Sequence, residues 1–258
     1  KVPGGSMRAP GDPQSIFAAE VQMDLIARDL GMDPVEFRRK NLVQDGDTSP
    51  LGHRWQNIMG LRTLEAAVKE AGYQDAKPQT PGKLTGRGMA LCERHVGAGS
   101  STVRISIDSD GIVTLYTALP DTGSGFYTVL RQILGQELGV AYDEIKLENW
   151  STDDVAFETG VGGSRVTHVA GQAVYRAAQE LKQKLAATAA DLFGWSEDKT
   201  GFSQGQVTAP GQTAVSLGEL VSRSGGLLEA DHTYDSERDE DITVFCVQIA
   251  EVDVDVET

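Results

Sequence analysis

The sequence predicts a mixed α+β protein, helical at its start and strand-rich after a proline- and glycine-containing linker, and three observations carry that expectation. Apolar residues recur at helical spacing before residue 72. From residue 88 on, alternating or continuous apolar runs are separated by turn residues. One long helical pattern, residues 166–192, sits among those strands without a regular strand–helix alternation. With 40% hydrophobic and 24% charged residues over 258 positions, the chain has material for one large domain or two modest ones.

The elements follow in order. Ile16, Ala19, Met23, Ile26, Ala27 and Leu30 line one helical face over residues 15–30, with Ser15 as the expected cap and Gly31 as the stop. Asp33, Pro34 and Glu36 then supply an N-cap, a first-turn proline and a capping-box acid for a short helix through Lys40. Leu61, Leu64, Val68 and Ala71 mark a third helix, closed by Gly72. Residues 74–86 hold prolines and glycines and read as a linker, which divides a helical part, 1–79, from a strand-rich part, 80–258. Strands are expected over 88–95, 102–108 and 112–119, the last two joined by a Ser109-Asp110-Gly111 hairpin turn. A helix over 126–138 stops at Gly139, and a strand covers 144–150. After the long helix come short strands at 202–208, a helix capped by Ser216, and strands at 227–234 and 242–256. From Glu229 on there are eleven acidic residues against one basic residue, the pattern of a solvated face.

A net charge of −15 with no basic patch argues against nucleic acid as a partner. No apolar run approaches the roughly 18 residues that span a bilayer. The two cysteines, Cys92 and Cys246, are too few for a disulfide framework and read as buried free thiols of a reducing, cytoplasmic compartment. Both ends read as cuts in a longer chain: no Met or apolar leader opens it, and the alternating run Val252-Asp253-Val254-Asp255-Val256 has no closing turn.

Chemistry points to two loops. Asp121-Thr122-Gly123-Ser124-Gly125 follows an apolar strand and opens the helix at Phe126. Gly160-Val161-Gly162-Gly163-Ser164-Arg165 opens the long helix. Glycines let a ligand approach the backbone, and the free N–H groups of a helix start bind anions, with Arg165 available as a bidentate partner. Neither loop has the Gly-Lys-Ser/Thr of a P-loop or the six-residue dinucleotide fingerprint, and Ser124 lacks the glycine spacing of a hydrolase elbow. Cys92 with His95 has no second pair to complete a metal site, and His53, His168 and His232 have no ligand spacing.

Met7-Arg8-Ala9-Pro10-Gly11-Asp12-Pro13-Gln14, followed by Phe17-Ala18-Ala19-Glu20 and Met23-Asp24, resembles the Arg-Gly-x-Gly-x-Pro-Gln loop and helix of the molybdenum hydroxylases, the xanthine dehydrogenase/aldehyde oxidase family. Leu30-Gly31-Met32-Asp33-Pro34 and Arg38-Arg39-Lys40-Asn41 match the segment that follows it. Thr122-Gly123-Ser124-Gly125, with Thr128, Gln132 and Leu138-Gly139, stands where that family has Gly-Gln-Gly, and Gly160 to Arg165 resembles the Gly-Ser-Arg loop of bacterial members.

The resemblance implies part of a large, molybdopterin-binding subunit that oxidatively hydroxylates an aldehyde or N-heterocycle. It implies a molybdenum–molybdopterin cofactor, in the cytosine dinucleotide form frequent in bacteria, with 2Fe–2S and FAD on partner subunits or domains. Arg8, Gly123, Ser124, Gly125, Gly162, Gly163, Ser164 and Arg165 would then contact the cofactor, with no side-chain metal ligand. Ser124 replaces the family's amide, and Pro10 replaces an aromatic that stacks on substrate in some members. The family's general-base Glu falls in a Gly-Glu motif beyond Thr258, so no catalytic residue is assigned and the segment alone is expected to be inactive. The alternative function is a non-catalytic scaffold or subunit-contact module.

Overall fold

In chain order the elements of the computed structural model are α1 (Asp12–Asp29), α2 (Pro34–Asn41), α3 (Gly60–Glu70), β1 (Lys83–His95), β2 (Ser100–Asp108), β3 (Val113–Thr117), α4 (Phe126–Leu138), β4 (Lys146–Asn149) and α5 (Val166–Phe193). They continue as β5 (Gly201–Ser203), β6 (Gln206–Thr208), β7 (Val215–Ser216), α6 (Leu217–Ser224), β8 (Leu227–Asp235) and β9 (Thr243–Asp255). The structure describes residues 5, 7–52, 54–76, 80–151, 157–236 and 243–257. His53, Gln79, Ile242 and acidic residues 237 and 239–241, which figure in the sequence reading, lie outside them.

The α+β class holds, with strands within residues 100–117 and a helix over the whole of the long pattern. The division of the chain differs from the sequence reading. One compact unit comprises Lys1–Val96 and Asp241–Thr258, the other Gly97–Glu240. The reason is β9, which returns to pair antiparallel with β1 from Lys83↔Asp255 to His95↔Thr243. That pairing also draws residues 83–86, read as linker, into a strand.

In the first unit, Val35, Leu64 and Met89 form a small core, with Val247 and Ile249 of β9 packed on it. α2 begins as expected: the Asp33 side chain accepts from the N–H groups of Val35 and Glu36 at 2.9 and 3.1 Å. α1 begins a turn earlier than expected. Its N-cap is Gly11 in the left-handed region (φ 85°), Asp12 and Pro13 occupy the first turn, and the Ser15 hydroxyl donates back to the Gly11 carbonyl.

Arg38, on α2 and only 5% exposed, joins three elements. Its Nε donates to Glu20 Oε2 at 3.0 Å and its Nη1 to Asp24 Oδ1 at 2.8 Å, both on α1. Its Nη2 reaches the Met89 carbonyl on β1, while Glu20 Oε2 also accepts from the Leu91 N–H at 2.6 Å.

The second unit is a four-stranded sheet ordered β4-β3-β2-β8, with α5 packed on β2 and β8 and against α4. Ile105, Leu115, Leu130, Leu134, Leu181 and Leu185 are fully buried in its core. Alanines along α5 keep its buried face low, and Gly171 brings it close to Ile133 of α4. β3 and β4 run parallel with α4 between them, a strand–helix–strand unit that the sequence reading did not anticipate. The β2–β3 hairpin turns where expected, and Asp108 Oδ1 accepts from the amides of Asp110 and Ile112. A separate small sheet joins β5, β6 and β7.

Replacing Arg38 with Ala removes the cation from Glu20 and Asp24 and the guanidinium donor from the Met89 carbonyl, leaving Glu20 only its bond from the Leu91 N–H. A loss of about 3 kcal/mol is expected, in the range for breaking one side of a buried charge pair. Urea titration of wild type and variant checks it.

Candidate cofactor-binding loops

The first loop lies beyond the C-terminal end of β3, the end of a parallel strand–helix–strand unit where ligands bind in open sheets. Residues 121–125 are all exposed. Asp121 Oδ1 accepts from the Gly123 N–H at 2.8 Å, and Gly123 (φ 75°) and Gly125 (φ 80°) both take left-handed backbone. A side chain at either glycine would point into open space. α4 then starts without a side-chain cap and without an acid in its first turn. Tyr127 fixes that start: its hydroxyl lies 2.7 Å from the Leu119 carbonyl and 2.8 Å from Asn149 Oδ1 and gives its one proton to either acceptor. Burial, and after it the Asp121 charge, pushes the Tyr127 phenol above its ordinary value, so it remains a donor at neutral pH.

The second loop is built with a similar device. Glu158 Oε1 accepts from the Gly160 N–H at 3.1 Å, while its Oε2 accepts from the buried Ser101 hydroxyl at 2.7 Å. Thr159 and Ser100 exchange two hydrogen bonds, fixing the loop beside β2. The Gly97 N–H donates to the Gly163 carbonyl at 2.7 Å, and a Cβ on Gly97 would stand 3.0 Å from that oxygen. Gly163 and Ser164 are exposed and both have φ 59°, left-handed backbone that costs a non-glycine residue about 1–2 kcal/mol.

Arg165 has a different first task from the anion partner read in the sequence. Its Nε donates to the Gly160 carbonyl and its Nη1 to the Ala98 carbonyl at 2.9 Å, so the guanidinium clasps the loop. α5, too, begins without a side-chain cap or an acid in its first turn. Leu119, near the first loop, shares a narrow crevice with Gly160 and Arg165 of the second.

Arg8 belongs to the first unit, the two loops to the second. It is exposed and has φ 23°, followed by Ala9 at φ 53°. The turn is anchored just after, where Arg94 Nη1 donates to Asp12 Oδ2 at 2.6 Å. His168 packs edge-to-face with Tyr234. Among the described residues no group of three or more His, Cys, Asp or Glu side chains is placed to hold a metal ion.

Sequence reasoning missed Gly97, Glu158 and Tyr127. The Gly97-Ala98-Gly99 triplet was a legible signal for close backbone approach, whereas Glu158 and Tyr127 carry none without the fold.

A family model described as a molybdopterin cofactor-binding domain matches residues 61–258, and a second of the same description matches residues 1–42. The chain belongs to the molybdopterin cofactor-binding domain family. It is 29% identical over 238 residues to the aldehyde oxidoreductase molybdenum-binding subunit PaoC of Escherichia coli K12, covering 89% of this chain and 31% of that protein. It is 29% identical over 247 residues to a xanthine dehydrogenase molybdenum-binding subunit of Escherichia coli O157:H7, covering 88% and 33%. Among solved structures, quinoline 2-oxidoreductase from Pseudomonas putida 86 superposes with a TM-score of 0.82 at 25% identity, over 100% of this chain and 37% of that one. The chain thus spans about a third of the length of these relatives.

Two outcomes follow from the loop geometry. Glu158→Ala leaves the buried Ser101 hydroxyl and the Gly160 amide unpaired, and a loss of about 1–3 kcal/mol is expected by chemical denaturation. Ala9→Gly relieves left-handed strain of about 1–2 kcal/mol against a smaller gain of unfolded-state entropy, so denaturation should find the variant roughly 0.5–1 kcal/mol more stable.

Proposed function

We propose that this chain supplies cofactor-gripping loops to a molybdenum–molybdopterin site in an oxidoreductase of the xanthine dehydrogenase/aldehyde oxidase type. The observation that carries the reading is the pair of glycine loops opening α4 and α5, with exposed left-handed backbone, no side-chain cap and no acid in either first turn. This donor set fits the cofactor. Amides at the positive end of a helix suit a phosphate, and glycines without Cβ atoms let flat pterin edges approach the chain.

In this proposal Gly123, Gly125, Gly162 and Gly163 present backbone, Ser124 and Ser164 present hydroxyls, and Arg8 supplies positive charge. Arg165 and Glu158 act through the shape of the second loop. When bound, the molybdenum cofactor supplies two-electron oxidation of an electron-poor carbon. The residues of this chain hold the cofactor in place, and the hydroxyls of Ser124 and Ser164 can reorient to donate or accept as its polar edges require.

The proposed substrate class is an aldehyde or N-heterocycle, as the names of the aldehyde oxidoreductase subunit and quinoline 2-oxidoreductase suggest for the family. The whole enzyme is proposed to carry the cytosine dinucleotide form of the cofactor, to pass electrons to 2Fe–2S and FAD partners, and to work in the cytoplasm. Among the described residues no helix is long and apolar enough to cross a membrane.

The test compares two alanine substitutions in the intact protein. Gly123 and Gly211 both have φ 75° and open space where a Cβ would go, so Ala must take left-handed φ at each without meeting a neighbour. Elemental analysis of folded protein should find molybdenum reduced several-fold in Gly123→Ala and unchanged in Gly211→Ala. Equal molybdenum content in the two overturns the assignment of the first loop.

A further inference from the structure

The only cysteines of the chain, Cys92 and Cys246, stand directly opposite each other across the β1–β9 ribbon. Residues directly opposite in an antiparallel pair project from the same face of the sheet. The hydrogen bonds on the far side of β1 fix what kind of pair this is. The Leu91 N–H goes to Glu20 and the Met89 carbonyl to Arg38, so both point away from β9. Along an extended strand the alternate residue turns its N–H and carbonyl the other way, so Cys92 faces β9. It therefore belongs to a hydrogen-bonded pair with Cys246, whose Cα atoms lie about 5.5 Å apart. A disulfide spans about 4.4–6.8 Å between Cα atoms but needs Cβ atoms about 3.5–4.5 Å apart, closer than the roughly 5 Å or more of a hydrogen-bonded pair, so the two strands must draw together locally to make one.

The two sulfurs differ in access. Cys246 is exposed and Cys92 only partly buried, not the buried pair that the sequence suggests, because both lie on the ribbon face turned away from the small core. Their face is opposite the one that carries Met89, Leu91, Val247 and Ile249 against the small core, so the two sulfurs lie outside that packing.

We propose that Cys92 and Cys246 form a reversible thiol–disulfide site that takes a small disulfide of the glutathione type as its oxidant. The thiolate of exposed Cys246 attacks one sulfur of oxidised glutathione, forming a mixed disulfide and releasing one glutathione thiolate. Cys92 then attacks the Cys246 sulfur, forming the Cys92–Cys246 bond and releasing the second glutathione. The two cysteines lose two electrons and two protons, and one glutathione disulfide becomes two thiols. Burial, and next to it the Cys246 sulfur, pushes the Cys92 thiol above its ordinary value. The second step therefore speeds up as pH rises and Cys92 ionises.

The position of the bond gives it a consequence. Cys92 precedes Val96, where the chain leaves the first unit, and Cys246 follows Asp241, where it returns. The disulfide closes a covalent loop that contains the entire second unit, and long loops lose the most unfolded-state entropy on closure. This inference does not depend on the proposed function.

The intact reduced protein is incubated with excess oxidised glutathione, acid-quenched, alkylated and mapped by peptide mass spectrometry. Both cysteines should escape alkylation together and appear in one cross-linked peptide, dithiothreitol should free both, and ring closure should be faster at pH 8.5 than at pH 7. Cys92→Ser should stop at a glutathione adduct on Cys246. The oxidised wild type should unfold at a higher temperature than the reduced form. Alkylation of both thiols after oxidation overturns the proposal, as does a wild-type protein that accumulates the Cys246 adduct without the cross-linked peptide.

Discussion

The first unit depends on one long-range constraint, the pairing of β1 with β9. Neither strand can complete a ladder locally, because the whole second unit lies between them in the sequence. A two-stranded ribbon is marginal by itself and needs a packed face and covered edges. The face is supplied by α3 and by Val35, Leu64 and Met89. The outer edge of β1 is closed by side chains, with Glu20 taking the Leu91 N–H and Arg38 the Met89 carbonyl. A buried arginine is expensive to desolvate, and here two carboxylates and backbone carbonyls compensate it while protecting a strand edge.

Legibility in the sequence follows the range of the interaction. α4 runs over the residues that the apolar spacing marks, because its stop, Gly139, is a local event: a left-handed residue at φ 66°. The Asp33 and Ser216 caps and the Ser109-Asp110-Gly111 turn were legible for the same reason. Ser15 misled, since a serine near a helix start can donate to a carbonyl inside the first turn as readily as accept from an amide. The left-handed Gly11 had already set the boundary. The parallel pairing of β3 with β4 and the return of β9 were not legible, because hydrophobic period reports which face is buried but not which strand lies alongside.

The candidate site was legible in its glycines and illegible in its supports. Glycines before helices can be read from sequence, whereas the carboxylates that fix them cannot: Asp121 and Glu158 look like any surface acid until their partners, Gly123 and Gly160, are in place. Arg165 is the instructive case. Next to a Gly-Ser pair it reads as an anion ligand, yet two of its donors go to the Gly160 and Ala98 carbonyls, which only the approach of the Gly97–Gly99 stretch brings within reach. The same supports reconcile an anion-binding reading with a charge of −15. Exposed charges are screened over about 10 Å at moderate salt, so distant acids weigh little against oriented amides nearby. Asp121 and Glu158, which belong to the loops, each hold a loop amide.

Sites that grip through backbone constrain a sequence differently from sites that act through side chains. What must persist is a set of left-handed positions and the turns around them, and only glycine satisfies these without strain. Most other positions need to keep only apolar pattern and volume, which core packing tolerates broadly. This is consistent with a superposition at TM-score 0.82 and only 25% identity. It also gives meaning to the exceptions. Ala9 and Ser164 occupy left-handed backbone at φ 53° and 59°, where a glycine would fit more easily. Strain retained at two turns beside candidate contact residues is a cost that the surrounding structure must over-determine, here through the Arg94–Asp12 pair and the Arg165 clasp.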